Sequence, residues 1–393
     1  MTAKAAPARR HSALLNRNLR LEGWRASCQS YAVIAQWLLL AFARRSELAL
    51  SFRALPYASS DWQSLERLFG PEAEAALAAI PAAAEGDVAD ATLRIYFPYD
   101  CRPAPRGRTV VFGTSEFQAV PPSHFAPPVD FAALAREAAF TFVTSSRWSA
   151  EGFRRAGLAA ERLAIVPLGV DVATFRPNPG ERAAFRTRNG LDGFVFMSVG
   201  AMAPTKGIDT LLEAFAAVAE VRPDARLFLK GSDSLYRSAD MLRGHLAGLS
   251  TAQRHLVEAR LRYSGAPLSM RLMAEIYQVA DVYVSPYRGE GFNLPVLEAA
   301  ACGVPVICTG GGATDEFTTP DFARRIASRI GSGEFEGMPA RYLAPERDDL
   351  VALMLQAIDD GAWRAAAAVA GPRHVAAGFT WDHSAARLLE LLF

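Results

Sequence analysis

The sequence predicts an α/β protein built from two doubly wound parallel sheets. Short apolar segments alternate with helical patterns along the chain, which is typical of strand–helix–strand units. Residues 280–317, ADVYVSPYRGEGFNLPVLEAAACGVPVICTGGGATDEF, form the clearest of these units. At 393 residues, 51% of them hydrophobic, the chain is long enough for two domains of ordinary size.

The first half begins with a weak strand at 19–22, a polar loop at 23–30 and an apolar helix at 31–45. In a doubly wound sheet the first strand-to-helix loop lies where ligands bind, so Ser27 is a candidate cleft residue, with an ordinary polar loop as the alternative. Further strands are predicted at 48–52, 93–97, 110–113 and 140–144, and helices at 62–69 and 72–80.

The second half repeats this alternation. A strand at 194–200 precedes an amphipathic helix at 208–221, which ends before Pro223. Strands at 226–230 and 261–265, and helices at 271–279, 348–358 and 380–392, follow. A segment rich in Pro and Gly at 177–190 indicates the connection between the two domains.

Within residues 280–317, a strand at 282–286 leads into a Gly-rich turn. Asn293 is a candidate N-cap, and Pro295 suits the first turn of a helix at 296–302. Gly303 ends this helix, and a buried strand at 304–308 completes the unit.

Glu290 and Glu298 flank the start of this helix with seven residues between them. A helix start offers unpaired N–H groups and a positive dipole end, which suit phosphate oxygens. Carboxylates beside a phosphate would repel it unless they accept hydrogen bonds from hydroxyl groups of the same ligand. A nucleotide sugar carries both kinds of group. The alternative is a capped surface turn and a solvated helix residue.

This segment resembles the signature of the retaining GT-B glycosyltransferases of family 4, also called glycosyl transferases group 1. Their motif is Glu-x7-Glu within E-G-F-x-L-P-x-L-E-A-x-A-x-G-x-P-V-I, and the match here runs from Glu290 to Glu298 and on through Gly303, Pro305 and Val306. The resemblance implies two Rossmann-like domains facing across a cleft, with a C-terminal helix that crosses back to the first domain.

The resemblance also implies roles for individual residues. Glu290 would contact the transferred sugar and Glu298 the ribose, while the helix start near Asn293 would face the diphosphate. The family pattern G-R-x-x-x-x-K-G supplies two phosphate-binding cations, and Gly200 and Lys206 match it. The further donor-side residues that the resemblance marks are Gly291, Phe292 and Leu294.

Ala201 stands where the family pattern has Arg, so the second cation is missing from its usual position. Lys230, at the end of a predicted neighbouring strand, is a candidate replacement because the carboxyl ends of parallel strands meet at one edge of the sheet. Without a second cation, we expect weaker stabilisation of the departing diphosphate.

In the first half, the resemblance places an acidic or His residue on the loop at 113–125. Glu116 and His124 are the candidates for this acceptor-side position, although a lone His in a loop is more often a surface residue. Two further motifs match here, S-x-W-x-x-E-x-F and P-x-G-V-D-x-x-x-F-x-P, through Ser146, Trp148, Glu151, Phe153, Pro167, Gly169, Val170, Asp171, Phe175 and Pro177.

Composition restricts the partners. Lys and Arg number 42 against 41 Asp and Glu, so no attraction to nucleic acid is implied. The four cysteines have no metal-ligand spacing and form no disulfide framework, and a reducing cytoplasm is expected. No export signal or membrane-spanning run is recognisable. For Arg9, Arg10, Arg17 and Arg20, a solvated basic tail and peripheral contact with the inner face of a membrane both stay open.

The sequence therefore predicts an acceptor-side domain at 1–178, a nucleotide-sugar domain at 179–378 and a crossing helix at 379–393. The expected function is a retaining hexosyl-type glycosyltransferase (EC 2.4) of bacterial polysaccharide or glycoconjugate synthesis, using a UDP-, GDP- or ADP-linked sugar and a carbohydrate, lipid-linked or protein acceptor. Neither a cofactor nor a metal is expected. The alternatives are a nucleotide-sugar-binding subunit with weak or no activity, which Ala201 favours, and a nucleotide-sugar epimerase.

Overall fold

The first half of the chain forms a six-stranded parallel sheet, as predicted. The computed structural model describes residues 17–59, 62, 64–84, 86–137 and 139–393. The strand order is β2-β1-β3-β4-β5-β6. These strands are β1 (Arg17–Gly23), β2 (Leu48–Ala54), β3 (Ala91–Ile95), β4 (Arg108–Phe112), β5 (Thr141–Thr144) and β6 (Leu163–Ile165).

The second half forms another six-stranded parallel sheet, with the order β12-β11-β10-β7-β8-β9. Its central strands are buried almost throughout because helices cover the sheet, which confirms the prediction of two doubly wound sheets. The strands are β7 (Phe194–Val199), β8 (Ala225–Lys230), β9 (Leu261–Ser264), β10 (Val282–Ser285), β11 (Val306–Thr309) and β12 (Ala323–Ile326).

Helices connect these strands and supply the other half of each core. The α-helices are α1 (Ser30–Ala43), α2 (Pro71–Ala79), α3 (Phe131–Glu137), α4 (Arg147–Arg155), α5 (Pro179–Arg188), α6 (Ile208–Val221), α7 (Asp233–Tyr236), α8 (Ser238–Ala247), α9 (Thr251–Glu258), α10 (Met270–Tyr277), α11 (Leu294–Ala301), α12 (Arg347–Asp359), α13 (Gly361–Gly378) and α14 (Trp381–Leu392). The apolar sequence of α1 is explained by burial on all sides: every residue from Tyr31 to Phe42 is buried.

A two-stranded antiparallel hairpin, which the sequence did not predict, follows the second sheet. It consists of β13 (Ser328–Phe335) and β14 (Met338–Pro345). Its turn reaches the first domain, where the Arg341 backbone N–H donates to the Phe117 carbonyl at 2.8 Å. The Phe335 and Phe117 rings lie 5.0 Å apart, so the hairpin joins the two halves of the molecule.

One prediction about local structure was wrong. No helix forms over the described part of 62–69, where Arg67 has a left-handed φ of 59° that interrupts helical geometry; residue 63 lies outside the described residues. The segment 177–190, where the domain connection is predicted, contains α5, because Pro179 suits a first helical turn and the Asn178 side chain caps it.

The C-terminal helix α14 packs against α1 of the first domain. The Trp381 and Trp37 rings stack with centroids 6.5 Å apart, and the Ser384 hydroxyl donates to the Pro167 carbonyl at 2.8 Å. Gly169 is needed at this junction because a Cβ atom there would lie 2.3 Å from the Thr380 backbone. The predicted crossing of the last helix is thus present, while the domain limits at residues 178 and 378 stay predictions.

Two of the four arginines considered as a basic tail, Arg17 and Arg20, lie in a strand. Arg20 lies in β1, is 8% exposed and donates to the Asp87 carbonyl at 2.6 Å, so it is unavailable for a membrane surface. Arg17 also lies in β1, whereas Arg9 and Arg10 lie outside the described residues. Among the described residues, we find no helix whose length and hydropathy would let it span a bilayer.

Candidate active site between the two sheets

A cavity of about 560 Å³ lies between the carboxyl ends of the two sheets. Ligands of open α/β sheets bind at this edge. The structure brings most of the predicted site residues to its walls: Glu116, Gly200, Lys206, Lys230, Glu290, Gly291, Phe292, Asn293, Leu294 and Glu298.

Lys206 and Glu290 form an ion pair in this cavity. Lys206 ends a short 3₁₀ turn before α6, and Glu290 follows β10, so adjacent strand ends bring them together. Burial alone would lower the pKa of Lys206, but the carboxylates of Glu290 and Glu116 outweigh it and raise that pKa. The ammonium group is therefore charged and half-buried, as required of a group that meets a diphosphate.

Gly200 and Ala201 lie beside this ion pair. Gly200 has a φ of 148°, a backbone conformation that residues with a side chain rarely adopt, and it lies next to the Lys206 side chain. Lys230 ends β8, is 5% exposed, and its ammonium group contacts the Gly231 carbonyl. Burial lowers the pKa of Lys230. A second cation therefore lines the cavity that also contains Ala201.

Asn293 precedes α11 but does not cap it, contrary to the prediction. Its backbone is left-handed, with a φ of 75°, and its side-chain Nδ2 donates to Ser285 Oγ at 2.9 Å. In this conformation the Asn293 side chain points back to β10 instead of to the helix. The start of α11 thus has no side-chain cap, and it faces the cavity with its positive dipole end.

Glu298 lies one turn into α11 and accepts a hydrogen bond from the Tyr277 hydroxyl at 2.7 Å. Burial raises the pKa of Glu298 to about 7, and the Tyr277 hydrogen bond only partly opposes this shift. One carboxylate oxygen thus has a protein partner, and the other is available to a ligand hydroxyl.

Glu116 approaches the cavity from the first domain. Burial raises the pKa of Glu116 to about 7, with Lys206 opposing the shift and Glu290 adding to it. Among the described residues, no hydrogen-bond donor contacts its carboxylate, which distinguishes it from Glu290 and Glu298. Glu116 is thus the acidic group that the first domain directs towards a ligand.

Two predicted candidates lie away from the cavity. Ser27 is 1% exposed, and its hydroxyl accepts from the Gln29 backbone N–H at 3.2 Å beside the start of α1. His124 packs between the rings of Phe97 and Phe335, at 5.0 and 5.9 Å. Burial lowers the pKa of His124, so the imidazole is neutral in this aromatic setting.

Gly291 contacts residues of the first domain beside the cavity. Its carbonyl accepts hydrogen bonds from the hydroxyls of Ser145 and Ser146 at 3.0 and 2.7 Å. A Cβ atom at Gly291 would lie 2.5 Å from Thr114 Cβ, so the glycine permits this approach. Phe292 packs on Phe317 at 4.8 Å and fixes the turn from behind.

Sequence reasoning missed Tyr277, Tyr236 and Phe335. Tyr277 positions Glu298, whereas Tyr236 and Phe335 line the cavity. Since these residues come from elements distant in sequence and match no quoted motif, no sequence signal singled them out. Pro267, Leu268 and Met270, which follow β9, also contribute to the lining.

Comparisons with known proteins agree with this geometry. Residues 193–357 match the family model of the glycosyl transferases group 1. The chain is similar to a GDP-mannose-dependent monoacylated alpha-(1-6)-phosphatidylinositol monomannoside mannosyltransferase of Corynebacterium glutamicum, with 32% identity over 58% of this chain and 55% of the relative. It is also similar to a D-inositol 3-phosphate glycosyltransferase of Kineococcus radiotolerans, with 32% identity over 60% of this chain and 52% of that protein. The chain thus spans about half the length of these relatives.

Solved structures extend the likeness to the first domain. HepE of Anabaena, in complex with UDP and glucose, superposes with a TM-score of 0.68 and 14% identity over 95% of this chain and 98% of HepE. A glycosyltransferase of Rickettsia africae gives a TM-score of 0.70 and 11% identity over 96% of this chain and 98% of that protein. The chain therefore has the GT-B fold, and residues 193–357 of its second half are similar to the glycosyl transferases group 1.

Proposed function

We propose that this protein transfers a hexose-type sugar from a nucleoside diphosphate to an acceptor hydroxyl with retention at the anomeric carbon. The observation that carries the proposal is the assembly of Lys206, Glu290, Glu298 and the uncapped start of α11 on one cavity between two domains. One relative is named for GDP-mannose, and one structural neighbour contains UDP, so both nucleotides are candidate donors.

Each group has a defined task in this proposal. Glu298 accepts hydrogen bonds from the ribose, and Lys206 with the start of α11 holds the diphosphate as negative charge grows on it during departure. Glu290 orients the sugar hydroxyls. Glu116 faces this cavity from the first domain and accepts a hydrogen bond from the acceptor.

The proposed location of the protein is the cytoplasm or the inner face of a membrane.

The proposed reaction uses no metal. The positive groups that support metal independence are Lys206, Lys230 and the start of α11. Among the described residues, no three His, Cys, Asp or Glu side chains converge to hold an ion. Turnover in EDTA equal to turnover in Mg²⁺ is the expected result.

Calorimetric titration with UDP, GDP and ADP tests the proposal first. We expect one nucleotide to bind preferentially and Glu298→Ala to lose that binding. Product analysis with the matching nucleotide sugar follows, using NMR of the anomeric proton. A glycoside with retained configuration supports the proposal, whereas an isomerised donor would indicate an epimerase.

Ala201 favours a second candidate, a subunit that binds nucleotide sugars without transferring them. That candidate predicts nucleotide binding without release of nucleoside diphosphate, even with a panel of sugar and lipid acceptors. Replacement of the family Arg by Ala201 would be its cause, since the departing diphosphate would lack a stabilising cation.

A further inference from the structure

A second cavity, of about 650 Å³, opens at the carboxyl ends of β1, β2 and β3 in the first domain. We call it the bowl, defined by Glu22, Arg53, Tyr57, Arg94, Tyr96 and Arg102 on its walls. The bowl shares no lining residue with the cavity between the sheets. Aromatic rings separate the two, because Trp24 of the bowl lies 6.5 Å from Tyr31 of the other cavity.

The floor of the bowl is a buried ion pair. Arg94 Nε donates to Glu22 Oε2 at 2.9 Å, and the two residues are 7% and 6% exposed. Arg94 Nη1 also donates to the carbonyls of Asp100 and Arg102, which fixes the guanidinium plane. Burying charges at an open cavity is costly for stability, so such a pair is a candidate for ligand recognition.

Positive charge exceeds negative charge in the bowl. Arg102 pairs with Asp100 through two hydrogen bonds of 2.9 and 2.7 Å, and Arg94 pairs with Glu22. Arg53 is the third guanidinium, and its nearest carboxylate oxygen, Glu22 Oε1, is 3.7 Å away, beyond hydrogen-bond distance. The Arg53 side chain is 59% exposed and forms only this long ion pair among the described residues, so its guanidinium hydrogens at the rim are available to a ligand.

The remaining walls of the bowl consist largely of aromatic rings. Two polar atoms beside these rings make no hydrogen bond within the described part of the chain. Trp24, Tyr57, Tyr96 and Phe97 supply rings, which suit the C–H faces of a sugar. The Tyr96 hydroxyl has no hydrogen-bond partner among the described residues, and Glu22 Oε1 accepts no hydrogen bond there. Both atoms are therefore available to ligand hydroxyls. The volume is ordinary for a small-molecule site.

We propose that the bowl binds an anionic carbohydrate, a sugar or cyclic polyol that carries one phosphate or carboxylate group. Arg53 meets the anion, the Tyr96 hydroxyl and Glu22 Oε1 meet hydroxyl groups, and the rings pack against the carbon skeleton. The proposal concerns binding in the first domain, so it does not depend on the transferase function.

Calorimetric titration of the full chain tests this proposal with four probes: glucose 6-phosphate, glucuronate, glucose and inorganic phosphate. We expect at least one charged sugar to bind about tenfold more tightly than glucose and inorganic phosphate, and the better of the two identifies the anion. Arg53→Gln should weaken that binding about tenfold, as expected for loss of one charge-assisted hydrogen bond, and Arg53→Lys should restore part of it. Arg106→Gln, which removes an exposed arginine of the same domain outside the bowl, should change nothing.

Three outcomes would overturn the proposal. The first is no binding of either charged sugar up to about 10 mM, which corresponds to roughly 3 kcal/mol. The second is binding of inorganic phosphate as tightly as glucose 6-phosphate, which would mean an anion site only. The third is binding that Lys206→Met or added UDP or GDP removes and Arg53→Gln does not, because the sugar would then occupy the cavity between the sheets.

Discussion

The ammonium group of Lys206 contacts Oε1 of Glu290, so the cation proposed for the diphosphate is held by the carboxylate proposed for the sugar. The Glu290 side chain is 8% exposed and that of Lys206 24%, so the lysine is the more accessible end of the pair, while both residues line the cavity. A diphosphate that binds Lys206 therefore competes with Glu290 for the same ammonium hydrogens, and the two residues affect ligand binding in opposite ways.

Lys206→Met should weaken nucleoside diphosphate binding about 10- to 100-fold, because a charge-assisted hydrogen bond contributes about 1.5–3 kcal/mol. Glu290→Gln should leave that affinity unchanged or tighter, since it frees the ammonium group, while turnover of the nucleotide sugar falls about 100-fold. Calorimetry and nucleoside diphosphate release measure the two effects.

Glu213→Gln, an exposed change on α6, is the matched control and should alter neither quantity. Equal loss of nucleoside diphosphate affinity in Glu290→Gln and Lys206→Met would contradict the division of roles.

The raised pKa of Glu298 predicts pH-dependent nucleotide binding. In the ionised carboxylate, the oxygen that is not bonded to Tyr277 is a pure acceptor for a ribose hydroxyl, and the pKa of about 7 means that lowering the pH protonates the group. Between pH 8 and pH 6 the ionised fraction falls about tenfold, so affinity should fall by up to about that factor. Glu298→Gln should bind more weakly at pH 8 and lose this pH dependence.

The difference between the wild type and Glu298→Gln cancels the titration of the ligand's own phosphate and of Glu116 and Lys206. Affinity for the nucleoside alone, without any phosphate, should show the same difference. If the two proteins have parallel pH profiles, Glu298 does not contact the ribose in its ionised form.

The sequence predicted the functional edge of the second domain well because short-range rules determine it. The spacing of Glu290 and Glu298 around a helix start, and the position of Lys206 before α6, follow from strand and helix periodicity alone. The direction in which a side chain points does not follow from strand and helix periodicity. Asn293 adopts a left-handed backbone and points to Ser285, a choice that depends on packing of the turn.

In the first domain, the sequence predicted side-chain directions and long-range contacts less well. Both Ser27 and Glu116 follow strands, yet Ser27 is buried beside the start of α1 and Glu116 reaches the cavity. The hairpin of β13 and β14 was not predicted, because its contacts to Phe117 and Ser123 join residues more than 200 positions apart. Contacts of this kind leave no periodic signal in the sequence.

Removal of the Phe335 ring from the hairpin should increase the mobility of the loop at residues 113–125 of the first domain. Phe335 contacts Phe117 and His124, so Phe335→Ala removes the apolar part of the junction while the Arg341–Phe117 backbone hydrogen bond remains. We expect faster amide hydrogen exchange over residues 113–125, measured by mass spectrometry, with little change in the second sheet.

Ile330→Ala is the control on the same hairpin, since Ile330 is 59% exposed. Protection of residues 113–125 that is equal in both variants would show that the Phe335 ring does not hold the loop.

Trp381→Ala should destabilise the whole chain by about 3–5 kcal/mol, the usual cost of deleting a buried aromatic side chain. Trp381 is 4% exposed and stacks on Trp37, so its loss opens a cavity between α14 and α1. Urea unfolding followed by circular dichroism measures the change. Val369→Ala, at a residue 59% exposed on α13, should cost less than about 0.5 kcal/mol. A similar loss of unfolding free energy in both variants would show that the crossing helix contributes little to the stability of the chain.

Lys230→Met combined with Ala201→Arg tests whether Lys230 supplies the charge that the family places at residue 201. Both positions line the cavity, and the short apolar Ala201 side chain offers no interaction with a phosphate. Lys230→Met should weaken nucleoside diphosphate binding about tenfold, and Ala201→Arg should restore it because the guanidinium donates two hydrogen bonds to phosphate. Ala247→Arg, which adds the same charge at an exposed position on α8, should restore no binding.

If Ala201→Arg tightens binding equally with and without Lys230, the two cations act independently and Lys230 is no substitute. If Lys230→Met has no effect, the diphosphate is held by Lys206 and the start of α11 alone, and the low charge of this site becomes the reason to expect slow turnover.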